Sequence, residues 1–181
     1  MFQAEFSLGP MRAVILVVAF LVADLHAASA YEHFVSPNRR FEANTTAKEH
    51  DGTGMKLFVR RARSSDEGKL LLHNDRWIDA KWSPDSRLLA VVDHLDGHVA
   101  DVYVFAITAA DAAESPVVTL LYHTPDLRTY DVQWDVLGWR TRQRQIILKK
   151  EVRDQTAGTF RREKIVARIG TEALKLPTDK T

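Results

Sequence analysis

Two histidines and three aspartates fall within nine residues of this chain, in Asp93-His94-Leu95-Asp96-Gly97-His98 and then Asp101. Imidazole nitrogens and carboxylate oxygens are the ligands that zinc and other divalent metals take, so Asp93, His94, Asp96 and His98 are the candidate metal-holding residues. Their spacing favours a plainer reading. Asp96-Gly97 is a tight-turn dipeptide, and along the strands it would join, neighbouring side chains point to opposite faces. That separates Asp93 from His94, and the pattern matches no metal motif. No metal and no cofactor is expected. Ser83 and Ser86 lie in a turn, and the chain has no Gly-x-Ser-x-Gly elbow and no Ser-x-x-Lys. It also has no Gly-x-Gly-x-x-Gly, no phosphate-cradling loop and no cysteine. The motifs therefore give catalysis no support, and a non-catalytic protein is expected.

Binding is better represented. Trp77 and Trp139 are candidate aromatic anchors, since exposed aromatics are enriched at interaction hot spots. Trp82 and Trp134 read as packing residues in a repeated unit. Charge is balanced overall, with 25 Lys and Arg against 24 Asp and Glu, but it is unevenly spread. Residues 75–115 carry three basic and eight acidic residues, whereas residues 140–168 carry ten basic and three acidic. Arg140, Arg142 and Arg144 alternate with Thr and Gln at the start of the basic segment. Such a segment can be a solvated strand face, a surface for an acidic polymer, or half of a self-association between acidic and basic faces.

The elements that would position these residues begin after residue 30. Arg12, the apolar run Ala13 to Ala23 and Ala28-Ser29-Ala30 form a basic n-region, a short h-region and an A-x-A site, the pattern of a secretory signal peptide. Eleven apolar residues rise far less than the roughly 30 Å of a bilayer core. Met11 is the better start for such a leader, because residues 1–10 contain an acid and a Gly-Pro break. Residues 1–30 are therefore expected to direct export, giving a secreted or periplasmic protein that meets a membrane only during that step. Export also makes nucleic acid an unexpected partner.

Beyond the leader, short apolar runs separated by Gly, Pro, Asp and Asn read as strands and turns. Residues 76–82 alternate, Ser83-Pro84-Asp85-Ser86 is a turn, and residues 88–92 and 102–107 are apolar on both faces. Strands apolar on both faces must be covered on both sides. The unit recurs: residues 36–43 parallel residues 83–90 at an offset of 47, and Val132-Gln133-Trp134 parallels Ala80-Lys81-Trp82 at an offset of 52. Further strands are expected at 56–59, 70–72, 116–122, 146–148 and 165–169. A period near 50 with several strands per unit lies in the range of propeller blades. The chain then divides into the leader, one β domain over residues 31–175 and a frayed tail over 176–181.

The stretch from Trp82 to Phe105 resembles a blade of the TolB-type, WD40-like β-propellers, whose units carry an aromatic-Ser-Pro-Asp-Gly turn, an apolar strand, an Asp-Gly turn and an I/V-Y-V strand. Ser86 stands where that pattern has Gly, and the third copy lacks Ser-Pro. The resemblance implies an all-β, antiparallel fold of about three propeller-like blade units, with a compact β-sandwich as the alternative, and mostly protein-interaction roles. Three units do not close a ring. The expectation is thus an exported, non-catalytic interaction module whose partner is another protein, or a second copy completing the ring. The alternatives are a small secreted hydrolase or metal-dependent enzyme with a loop-borne site, and a binder of acidic polymers through residues 140–168. An open stack has sheet edges to protect, and Arg142, Arg144, Lys149 and Lys150 are the expected guards.

Overall fold

A computed structural model describes residues 32–46, 54–74, 76–95, 98–109, 115–125, 131–154 and 156–174. The expected leader, the start at Met11, Asp96 and the tail over 176–181 lie outside the described residues. Among these described residues eleven strands follow in order: β1 (His33–Val35), β2 (Phe41–Thr45), β3 (Met55–Arg61), β4 (Lys69–Asn74), β5 (Trp77–Trp82), β6 (Leu88–His94), β7 (Ala100–Thr108), β8 (Val117–His123), β9 (Val132–Arg140), β10 (Gln145–Asp154) and β11 (Thr159–Arg168). The chain is all-β, and its strands form three consecutive antiparallel meanders of four, four and three strands. The first, β1 to β4, is a sheet of its own. The second and third share a seven-stranded sheet, in which residues 103–108 of β7 pair with β8 and Ala100 of β7 bridges Gln133 of β9 in parallel.

The middle meander is covered on both sides, as its doubly apolar strands require. Leu89, Val91, Tyr103, Phe105 and Ile107 pack with Phe41, Leu57 and Val59 of the first meander. Their neighbours Leu88, Ala90, Val92, Val102 and Val104 pack with Val132, Trp134, Val136, Ile146 and Leu148 of the third. Alternation along β6 and β7 thus feeds two cores, one between each pair of meanders.

The two Ser-Pro turns are copies down to their hydrogen bonds. Ser36 N donates to Phe41 O at 2.9 Å and Ser83 N to Leu88 O at 2.8 Å. The serine hydroxyl accepts the amide of Phe41 in one and of Leu88 in the other, at 3.0 and 2.9 Å, and donates to Asn38 Oδ1 or Asp85 Oδ1. Arg39 and Ser86, with φ of 56° and 60°, close the two turns in the left-handed region. The copies also touch, for Asn38 N donates to Ser86 Oγ at 2.9 Å.

The third copy is offset differently from the sequence expectation. Arg140 pairs with Gln145 across its turn and Trp139 pairs with Ile146, just as Trp82 pairs with Leu89. Trp139, and not Trp134, is therefore the counterpart of Trp82, at an offset of 57. Thr141–Gln143 form a single 3-10 turn, with Arg144 left-handed behind it, in place of Ser-Pro-Asp. The edge expectation also needs correction. Lys149 and Lys150 lie on β10, which is paired on both sides, and Arg142 and Arg144 sit at a turn. Among the described residues the third meander's open edge is β11, whose own cations are Arg161, Arg162, Lys164 and Arg168.

Candidate functional site

The Asp-His cluster is dispersed by the pleat of β6. Asp93 faces the first meander, where the register sets it directly opposite Asp101; both are buried, at 4% and 7% exposure. Thr124 Oγ1 donates to Asp101 Oδ1 at 3.3 Å. His94 points the other way, with Nε2 3.0 Å from Asp79 Oδ2 and its ring stacked on Trp77 at 4.4 Å. His98 reaches the third meander, where its Nε2 lies 3.5 Å from Arg153 Nη1. Among the described residues, no group of three or more His, Cys, Asp or Glu is arranged to hold a metal.

His94 and Asp79 instead open into a small crevice of about 200 Å³ with Gln133, Trp134, Asp135, Lys149 and Glu151. Lys149 Nζ lies between two carboxylates of its own sheet, 3.5 Å from Asp135 and 3.7 Å from Glu151. The nearby Glu32 carboxyl is pushed up from its ordinary value, first by desolvation and then by the charge of Asp79. A histidine oriented by an aspartate is half of a nucleophilic site, but no Ser, Thr or Cys lines the crevice among the described residues. The charged groups satisfy one another here.

The aromatic candidates separate. Trp77 is 43% exposed and covers His94. Trp139 packs against the core between the second and third meanders, which removes it as an exposed anchor. Neither Trp139 nor Trp134 finds an acceptor for its indole N–H among the described residues.

The basic segment, in contrast, is gathered. The register of β9, β10 and β11 places Arg140, Lys149, Arg153, Arg162, Lys164 and Arg168 on the face of the third meander that looks away from the core. Asp135 and Glu151 share it and are engaged, Asp135 by Lys149 and Glu151 by Lys149 and by Arg162 Nε at 2.5 Å. Three large apolar side chains stand exposed in the same sheet: Phe160 at 52%, Leu137 at 47% and Val166 at 41%. Phe160 and Val166 alternate with the cations along β11, the third meander's open edge. Arg142 and Arg144 lie at the turn end of the meander, where Arg144 Nη2 donates to Gly170 O at 2.7 Å.

Among the described residues, the acidic segment forms no matching face. Asp93 and Asp101 are buried in the sheet, Asp79 is held by His94 and Asp85 by its own turn. Sequence arithmetic weighs these charges equally, whereas the pleat buries Asp93 and Asp101 and leaves Asp79 and Asp85 exposed but bonded to His94 and to the turn. Arg162, Lys164 and Phe160 fall inside the basic segment 140–168, but motif reading does not single them out in it; their alternation over 159–168 is the signal that could do so. Comparison of the chain with protein-family models, with curated proteins and with solved structures finds no match.

Proposed function

We propose that the chain is an exported, non-catalytic interaction module of propeller-like units that holds an acidic protein on the outer face of its third meander. The supporting observation is that face itself, where Arg140, Arg153, Lys164 and Arg168 stand beyond the ion pairs that Lys149 and Arg162 make with Asp135 and Glu151, with exposed Phe160 and Val166 among them and no further sheet over it among the described residues. Cations set the orientation and rate of encounter with an acidic surface, and aromatic and aliphatic side chains supply the apolar area that charge alone does not. That mixture favours a protein over a uniformly charged polysaccharide. In TolB-type propellers, which the second meander resembles, the corresponding surface would receive the next blade, so an open stack offers it to a partner.

The test is titration of poly-L-glutamate and of heparin into the full chain over a range of salt. The expected result is saturable binding of the polypeptide that weakens steeply with salt, with heparin no tighter. Absence of binding, or tighter binding of heparin, would overturn the reading, the latter in favour of an acidic-polymer binder.

A further inference from the structure

Each meander joins its first two strands by a four-residue loop, 37–40, 84–87 and 141–144, closed by the facing residues Ser36 and Phe41, Ser83 and Leu88, and Arg140 and Gln145. The last residue of every loop is an arginine: Arg40, Arg87 and Arg144. The three share a ladder position as well as a side chain, although Arg144 alone among them is left-handed. Their carbonyls accept the amide hydrogens of Ala62, Ile107 and Ile169, each at or just beyond the third strand of its own meander, at 3.0, 3.0 and 2.8 Å.

All three arginines line one cleft of about 550 Å³ at the turn end of the stack. Its apolar lining includes Phe41, Leu88, Ile107 and Leu121. Among the described residues, none of the three has a carboxylate within ion-pairing distance. Arg40 lies over the Phe41 ring at 5.8 Å, and Arg144 donates to the Gly170 carbonyl. Asp85, the one carboxylate among the described lining residues, already accepts the Ser83 hydroxyl at 2.6 Å and the Arg87 amide at 3.3 Å.

Three guanidinium groups around one concavity repel one another, and an anion between them relieves that repulsion. Guanidinium forks match the paired oxygens of carboxylates and phosphates, and the volume is that of a small-molecule site. We infer that this cleft binds a small amphipathic anion, its carboxylate or phosphate head between Arg40, Arg87 and Arg144 and its apolar body against Phe41, Leu88, Ile107 and Leu121. The site lies at the turns, apart from the outer sheet face, and does not depend on a partner there.

The probes are octanoate, octyl phosphate, 1-octanol and inorganic phosphate, titrated into the full chain by calorimetry. Octanoate or octyl phosphate is expected to bind saturably, whichever head is preferred, and both 1-octanol and inorganic phosphate at least about tenfold more weakly. Arg40→Gln and Arg87→Gln are each expected to weaken the preferred anion by about tenfold, with an unchanged melting curve. Equal binding of 1-octanol would remove the arginines from recognition, and equal binding of inorganic phosphate would remove the apolar wall. Either result, no saturable binding, or an affinity indifferent to both substitutions would overturn the inference. The wild-type comparison with 1-octanol stands even if a variant fails to fold.

Discussion

Ser86 holds a left-handed backbone at φ of 60°, where glycine is the ordinary occupant, and its hydroxyl explains why a serine serves. The oxygen accepts the Asn38 amide and so ties the first meander's turn to the second's. Ser86→Ala keeps the backbone strain and orphans that amide, at a cost of about 1–2 kcal/mol. Ser86→Gly orphans it too but releases about 1 kcal/mol of strain. Urea unfolding should therefore rank the glycine variant above the alanine variant, and the reverse order would remove the hydroxyl bridge from the explanation. Glu42 makes a different bargain with burial. Desolvation is the largest single influence and pushes its carboxyl up, but hydrogen bonds led by Arg60 at 2.6 Å and His33 at 3.1 Å outweigh it, so its pKa lies below the ordinary 4.5. A depressed carboxyl stabilises the fold fully above its unfolded value and loses that contribution as pH falls through the folded one. Glu42→Gln should then cost about 1–3 kcal/mol at pH 7, with the difference shrinking on acidification below 4.5. A pH-independent difference would mean that the charge contributes nothing.

At the scale of elements, the β3–β4 connection depends on Gly68, whose φ is 97°. A Cβ there would stand 2.6 Å from the Val59 carbonyl oxygen and 2.9 Å from Arg60 Cβ. Gly68→Ala should cost at least about 1 kcal/mol, read as a lower urea midpoint, and an unchanged midpoint would show that the connection can shift. The doubly apolar β6 and β7 were legible in the sequence because pattern alone demands two covered faces. The paired Ser-Pro turns were legible because serine, proline and a short polar side chain specify that turn wherever they occur. The third turn was not, since Thr141–Gln143 use a 3-10 turn that leaves no such signature, and the similarity of Val132-Gln133-Trp134 to Ala80-Lys81-Trp82 drew the offset to the wrong tryptophan. A bulge between Ile147 and Leu148 further breaks the alternation on which that reading depended. Arg40 and Arg87 stood at matching positions of the aligned turns, but only the stacking of meanders brings them to one cleft with Arg144. The Asp-His cluster misled for the converse reason, since closeness along a strand separates faces.

For the whole molecule, three stacked meanders leave outer surfaces of unlike character. The first meander's outer side carries Val35 and Leu70 exposed, with Glu42 bonded to Arg60 and His33. The third meander's is basic. Among the described strand residues of the first meander the one carboxylate, Glu42, is buried and engaged, so its outer side offers the basic face little to hold, and two basic faces repel one another. Light scattering on the full chain should accordingly give the monomer mass of 20.5 kDa at moderate salt, and a stable dimer would point to ring completion by a second copy. The most direct measurement repeats the poly-L-glutamate titration on the variant carrying Arg162→Glu, Lys164→Glu and Arg168→Glu. These three positions are solvent-facing on β11, so the fold should survive, as circular dichroism would report. An acidic partner site on this face requires at least about a tenfold loss of affinity and a shallower salt dependence. Unchanged binding would place the acidic partner elsewhere and contradict the proposal.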